Sequence, residues 1–242
     1  MDEARPKATP EQIATFLTTE HYSLQSIRTG TIADSNGRTA LFLGTLSGSL
    51  VALALVGQVS QLGEPMFVLA MVVFPTVLFI GLVTYVRVLQ VALEDILCML
   101  GIARIRRYYQ EMAPHTRPYF VLGAYDDLDG IWENYVSTIP GGLQIFMTTA
   151  GMVAVIDSVL AGVTAALLLS RIGMGMTDVL LPGIAAFFIV LVALQAHQAR
   201  CWRRLRRGWR SRFPTPAVAS GPVETGAGTG AAAGEGVTAT RR

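Results

Sequence analysis

A single acidic side chain, Asp157, interrupts an apolar run at residues 145–169. An ionised carboxylate at the centre of a membrane costs at least about 2.5 kcal/mol on insertion scales, and such residues often mark proton or ion paths. The alternative is a structural role, in which a protonated or hydrogen-bonded carboxyl group packs against a hydroxyl group. We favour the structural role, because the sequence offers no second acid, buried His or nearby base that would form a relay with this carboxylate. The hydroxyl groups available to Asp157 belong to Thr45, Ser47, Ser49 and Ser158.

A second candidate site is a cluster of seven arginines between residues 200 and 212, with no acidic residue among them. Basic residues near a membrane surface attract anionic lipid at about 1 kcal/mol each, and tryptophan favours the headgroup layer. We therefore expect this segment to contact anionic headgroups. Nucleic-acid binding is not expected, because the cluster is tethered at the membrane by the apolar run before it. The contact residues are Arg200, Trp202, Arg203, Arg204, Arg206, Arg207, Trp209 and Arg210.

Three further arginines, Arg104, Arg106 and Arg107, precede an acidic run at residues 126–129. Pairing of these charges within the chain is the simpler interpretation, and a site for a phosphorylated small molecule is the alternative. The acidic run does not fit an EF-hand. With Gly130 at the sixth position of the loop, neither the first nor the twelfth position carries a carboxylate.

No constellation for catalysis or metal binding is recognisable. The three histidines, His21, His115 and His197, are far apart in the sequence. Motifs of zinc sites, metalloproteases, serine hydrolases and phosphate-binding loops do not occur. We therefore predict a protein that is not an enzyme, with no catalytic residues, no cofactor and no metal, and we assign no small-molecule ligand.

Four apolar runs must position these residues, and each is long enough to cross about 30 Å of hydrocarbon as a helix. Of the 19 Lys and Arg residues, 18 lie before the first run, between the second and third, or after the fourth. Because Lys and Arg are enriched on the cytoplasmic side, we predict an all-α, multi-pass protein of the cell membrane with both termini in the cytoplasm. The runs cover residues 39–59, 66–86, 145–169 and 176–196.

Short loops join the first run to the second and the third to the fourth, which is typical of helical hairpins. The last residues are rich in Gly, Ala and Thr, a composition that does not support a packed core. The predicted segments are a cytoplasmic N-terminal helix (1–38), a first transmembrane hairpin (39–86), a cytoplasmic helix and loop (87–144), a second transmembrane hairpin (145–196), a basic juxtamembrane segment (197–213) and a disordered tail (214–242).

The polar segments flanking the first hairpin predict helices that extend beyond the membrane. Thr9 can cap a helix that begins at Pro10, with Gln12 completing a capping box, and Asn36-Gly37 marks a break. The second span continues without a strong breaker to Ala113-Pro114. We expect the two extensions to pair as a helical cytoplasmic stalk. Its seam on the second helix has heptad-like spacing and comprises Cys98, Ile102, Ile105, Tyr109 and Met112.

Two glycines of the first span, Gly44 and Gly48, have the GxxxG spacing that lets helices approach closely. The partner helix belongs either to the same chain or to a second copy. The leading hypothesis is therefore a non-enzymatic membrane protein that acts by self-association or by docking a cytoplasmic partner on the stalk. The alternative is a small oligomeric channel or transporter that uses Asp157.

Three segments carry a resemblance to known proteins: residues 17–25 (LTTEHYSLQ), 36–38 (NGR) and 104–109 (RIRRYY). They resemble a group of uncharacterised integral membrane proteins of actinobacteria over about residues 10–200, which implies a bacterial membrane protein and no particular activity. A polar helix leading into a membrane hairpin is also weakly similar to the two-span membrane effector modules of bacterial antiphage systems. In those modules a cytoplasmic sensing part drives membrane disruption, whereas this chain has four predicted spans.

Overall fold

In a computed structural model of the chain, the structure describes residues 8–134, 141–173 and 175–216. These residues form helices and turns without a strand, and four of the helices are long and apolar enough to cross a membrane. The prediction of an all-α chain with four membrane-length helices is confirmed at this level. The helices are α1 (Pro10–Val59), α2 (Glu64–Met112), α3 (Leu128–Glu133), α4 (Gly141–Met147), α5 (Thr149–Ser170) and α6 (Met176–Gly208), with a 3-10 helix at Pro114–Tyr119.

Helix α1 begins at the predicted capping box. Thr9 Oγ1 accepts a hydrogen bond from the Gln12 backbone N–H at 3.3 Å, and the Gln12 side chain accepts from the Thr9 N–H at 2.9 Å. The predicted break at Asn36-Gly37 is wrong, because α1 continues without interruption to Val59. A glycine within a helix costs only about 1 kcal/mol, and burial of Phe42 shortly afterwards holds α1 against α2.

Helix α2 ends at Met112, with Ala113 as its C-cap, as predicted. A four-residue turn, residues 60–63, joins it to α1. The two helices pack together over much of their length. Leu24 of α1 lies against Gly101 of α2, and Phe42 of α1 lies against Gly81.

The third apolar run differs from its predicted limits. Its helix, α5, begins at Thr149, because Thr148 acts as an N-cap and accepts a hydrogen bond from the Gly151 N–H at 3.0 Å. Residues before Thr148 form the separate short helix α4. Helices α5 and α6 then approach closely, since a Cβ atom on Gly162 would lie 2.8 Å from the Gly183 carbonyl oxygen.

Buried apolar residues form two clusters. The larger lies between α1, α2 and α5 and includes Phe42, Tyr85 and Val153. The smaller lies where the polar end of α2 meets α3 and the end of α6. Its residues are Ile96, Leu100, Ala103, Leu128 and Ile131, with Met99, Trp202, Leu205 and Trp209 packed against them. The predicted disordered tail lies outside the described residues from residue 217 onward.

Candidate functional site

Asp157 lies in the middle of α5, where α5 crosses α2. Its side chain is fully buried and packs against Gly81 of α2. A Cβ atom on Gly81 would overlap Asp157 Oδ1 and would lie 2.9 Å from the ring of Phe42. The glycine at position 81 therefore provides the space that the carboxyl group occupies.

The structural role was predicted for a protonated or a hydrogen-bonded carboxyl group, and the hydrogen bond from a hydroxyl group to Asp157 is absent among the described residues. Neither carboxyl oxygen has a hydrogen-bond partner among the described residues. Ser158 Oγ donates to the Ala154 carbonyl at 2.6 Å, and Thr45 Oγ1 donates to the Leu41 carbonyl at 2.9 Å. Serine and threonine within a helix often bond a carbonyl one turn earlier in this way. Asp157 is consequently a buried polar group that no hydroxyl of the described residues satisfies.

A buried tyrosine and an exposed histidine meet one helical turn from Gly81. Tyr85 Oη donates to the Leu194 carbonyl at 2.7 Å and lies 3.2 Å from His197 Nδ1. Because the hydroxyl proton is used by the carbonyl, His197 Nδ1 is the donor of the second bond. Sequence analysis missed this contact, since the two residues are 112 positions apart.

Gly44 and Gly48 contact no other helix among the residues that the structure describes. Both are exposed, and a Cβ atom on either would find nothing within 4 Å. At 3.6 residues per turn, they lie on the side of α1 opposite the buried Phe42 and Leu53. Of the two partners considered from the sequence, a helix of the same chain is therefore excluded within the described residues.

The two glycines belong to a longer surface that sequence analysis missed. Ten positions of α1, spaced alternately three and four residues apart, are all exposed, and nine of them are Gly, Ala or Ser. Hydropathy does not reveal such a surface, but a seven-residue period in small side chains does. We call it the small-residue face; it comprises Ser23, Ser26, Gly30, Ala33, Gly37, Ala40, Gly44, Ser47, Val51 and Ala54.

The small-residue face crosses the boundary between the polar and apolar parts of α1. It covers about 48 Å of helix at 1.5 Å per residue. Gly48 borders it one residue beyond Ser47. A Cβ atom on Gly30 or Gly37 also finds nothing within 4 Å, so the backbone of α1 is open at each glycine of this surface.

Polar side chains link the two long helices where both extend beyond their apolar parts. Arg28 Nε donates to Asp95 at 2.7 Å, and Arg87 Nε donates to Asp34 at 3.2 Å. Both arginines are about one-third exposed, so each ion pair contributes little to stability. These ion pairs instead fix which residues of α1 lie beside which residues of α2.

The predicted seam of α2 is buried in part. Tyr109 is half-buried and its hydroxyl lies 3.2 Å from Thr18 Oγ1 of α1. Met112 is 48% exposed, so its assignment to the seam is wrong; it is the last residue of α2. The remaining three residues are buried, namely Cys98, Ile102 and Ile105.

A buried carboxylate, Asp126, holds the chain that follows α6. It accepts hydrogen bonds from Ser211 Oγ at 2.5 Å and from the backbone N–H groups of Arg212 and Phe213 at 3.0 and 2.7 Å. Arg104 Nε donates to it at 2.7 Å. Burial acts to raise the pKa of Asp126, but these hydrogen bonds outweigh it and the pKa is lowered. The interpretation of Arg104 as an internal charge partner is therefore correct.

Two tryptophans assigned to the headgroup layer are placed differently by the structure. Trp209 Nε1 donates to the Asp126 carbonyl at 2.6 Å, and the Arg104 guanidinium lies 4.7 Å from its ring centroid. Trp202 packs against the smaller cluster, with its ring centroid 6.2 Å from that of Trp132. Both rings pack against the smaller cluster, whose residues are distant in sequence, and contact with the headgroup layer stays a prediction for their remaining exposed parts.

The arginines of the same segment are exposed. Arg206 Nη2 bonds Asp129 Oδ1 at 2.5 Å, and the Arg210 carbonyl accepts a bond from Arg104. Contact with anionic headgroups stays a prediction for these two arginines and for four others, which also leave their guanidinium groups on the surface. These residues are Arg200, Arg203, Arg204 and Arg207.

Within the described ranges, no group of three or more His, Cys, Asp or Glu side chains could hold a metal ion. Comparison of the chain with protein-family models, with curated proteins and with solved structures gives no match.

Proposed function

We propose that the chain is a four-span membrane protein that works as a self-associated, non-enzymatic assembly. In this arrangement α1 with α2 and α5 with α6 form two hairpins, and both termini are cytoplasmic. The polar extensions, residues 10–38 of α1 and 87–112 of α2, form a paired stalk in the cytoplasm. The distribution of Lys and Arg and the ion pairs between the extensions support this topology.

The observation that carries the proposal is the small-residue face of α1. Membrane helices associate mainly through close van der Waals packing, and small side chains allow the backbones to approach. A seven-residue repeat keeps two such faces in register along a left-handed supercoil. All ten positions are exposed in the single chain, so a second copy of α1 is the partner that we assign to them.

The test introduces bulk into the face without disturbing the chain itself. Gly37→Leu and Gly44→Leu add side chains where nothing lies within 4 Å of the added Cβ. Ala52→Leu is the matched control, because Ala52 is an exposed residue of α1 outside the face. We expect each glycine variant to weaken dimerisation at least about tenfold, or 1.4 kcal/mol, and the control to behave as the natural chain.

The measurement is mass by light scattering in detergent and in nanodiscs, where a dimer has twice the chain mass of 26.0 kDa. Disulfide crosslinking of Ala40→Cys in native membranes, with Cys98 and Cys201 replaced by Ser, gives a second readout. A natural chain that stays monomeric under all these conditions would refute self-association.

A second candidate function is proton or ion passage that uses Asp157. The favouring observation is a fully buried carboxyl group without a hydrogen-bond partner in the described residues. It packs against Gly81, one helical turn of α2 before Tyr85, whose hydroxyl contacts His197. We expect Asp157→Asn to abolish proton flux in liposomes if this function is correct. Equal flux for both proteins, or none above that of empty liposomes, would rule it out.

A further inference from the structure

A cavity of about 360 Å³ lies between the polar extensions of α1 and α2. Helix α1 contributes Thr18, His21 and Gln25 to its lining, and α2 contributes Arg106 and Tyr109. Its volume lies near the lower end of the range of small-molecule sites, about 300–1,000 Å³. The cavity is therefore large enough for a small ligand and is lined by hydrogen-bonding groups.

Arg106 is unlike the other partly buried arginines of the chain. Among residues 8–134, 141–173 and 175–216, every other partly buried arginine forms an ion pair with a carboxylate, and Arg106 does not. Its Nη1 donates to the Gly123 carbonyl at 2.8 Å, which uses one of its five N–H donors. A guanidinium group that is partly withdrawn from water and has no counter-ion favours the binding of an anion.

Further donors converge on the same cavity. His21 Nδ1 is buried without a hydrogen-bond partner. Burial and the nearby charge of Arg106 lower the pKa of His21, so the ring is neutral near pH 7 and carries one N–H. Thr18 and Tyr109 share one hydrogen bond, which leaves one of their two hydroxyl protons free. An anion with several acceptor oxygens matches this set better than a halide does.

Aromatic rings complete the lining. Tyr22, which is 67% exposed, stands at one side, and Phe120 follows the 3-10 helix on another. Ring faces of this kind favour the apolar part of an organic ligand. The guanidinium and hydroxyl groups are placed to donate hydrogen bonds to the anion, and the rings are placed to contact the organic group attached to it.

We propose that this cavity binds a small organic phosphate monoester, with its phosphate group on Arg106 and its organic part against Tyr22 and Phe120. The phosphate offers three strong acceptor oxygens, which the guanidinium, the hydroxyls and the Gln25 amide can share. Gln25 is 13 residues before Arg38, or about 20 Å along α1. That distance favours a water-soluble ligand over a lipid headgroup of the same membrane.

The test measures binding of phenyl phosphate and of inorganic phosphate to the full chain in detergent by calorimetry. Arg106→Gln removes the charge that faces the cavity, and Arg107→Gln is the matched control because Arg107 pairs with Glu111 at 2.9 Å and does not line the cavity. Hydrogen bonds to charged groups contribute about 1.5–3 kcal/mol, so we expect Arg106→Gln to weaken phenyl phosphate binding by at least about tenfold. The control should bind within about twofold of the natural chain.

A second variant tests the proposal even if the Arg106→Gln protein does not fold. Tyr22→Ala alters an exposed ring and should weaken phenyl phosphate binding while leaving inorganic phosphate binding unchanged. Absence of saturable phenyl phosphate binding to the natural chain, or equal binding to the Arg106→Gln protein, would overturn the proposal. Neither result depends on self-association, which is measured separately by mass.

Discussion

Two single residues, Asp126 and Asp157, have buried carboxyl groups that differ in their hydrogen bonding. Asp126 accepts hydrogen bonds from a side chain, from two backbone N–H groups and from Arg104. Asp157 has no such bond from the described residues. Buried polar groups are nearly always hydrogen-bonded. Asp126 follows this rule and anchors the chain after α6, whereas the unbonded Asp157 indicates either a function or a protonated carboxyl group.

Acid should release the segment that Asp126 holds. The folded pKa of Asp126 is lowered, so its stabilising contribution is full above the unfolded pKa of about 3.9 and is lost as pH falls through the folded value. Trp209 fluorescence in the Trp132→Phe/Trp202→Phe protein should therefore change below about pH 4. Asp126→Asn should show the acid-form spectrum at pH 7; an unchanged spectrum would argue against this anchor.

The fit between Gly81 and Asp157 predicts a coupled pair of substitutions. Gly81→Ala should destabilise the protein by about 1–3 kcal/mol, as overpacking does, because the added Cβ overlaps the carboxyl group. In an Asp157→Ala background the cost should be smaller, though contact with Phe42 remains. Thermal unfolding in detergent of the four proteins of the cycle measures this coupling, and strictly additive effects would contradict the packing described.

At the scale of elements, α1 has two sides with different composition. One side packs on α2 through Phe42, Leu24 and the Arg28–Asp95 ion pair. The opposite side carries small residues and is exposed in the part of the chain that the structure describes. A helix with two opposed packing faces is suited to join one hairpin to another copy of it.

The ion pair between the extensions should contribute modestly to stability. Arg28 and Asp95 side chains are 31% and 18% exposed, and exposed pairs contribute about 0.2–1 kcal/mol. A double-mutant cycle with Arg28→Ala and Asp95→Ala should therefore give a coupling energy of no more than about 1 kcal/mol. A larger value would mean that the pair is a principal source of stability rather than a register contact.

At the scale of the whole molecule, the proposed topology places the turn at residues 60–63 outside and the end of α6 inside. In a protein whose Cys98 and Cys201 are replaced by Ser, Gln61→Cys should react in intact cells with a membrane-impermeant maleimide. Arg204→Cys, also exposed in the structure, should react only after permeabilisation. The reverse pattern would invert the proposed orientation.

Local sequence patterns were sufficient to predict the number of long apolar helices, the capping box at Thr9 and the end of α2 near Pro114. Hydropathy, caps and breakers act between near neighbours along the chain, so they can be read from the sequence. The continuity of α1 through Gly37 was mispredicted, because a weak local breaker was overridden by packing farther along the helix.

Only the tertiary structure decided which faces meet. The pairs Arg104–Arg210, Tyr85–His197 and Arg28–Asp95 join residues 106, 112 and 67 positions apart, and no local pattern encodes such contacts. It also separated Gly44 and Gly48 from the chain's own core and brought Arg106 beside His21. Burial depends on neighbours in space. The sequence around a helical residue does not specify which distant residues pack against each side of the helix.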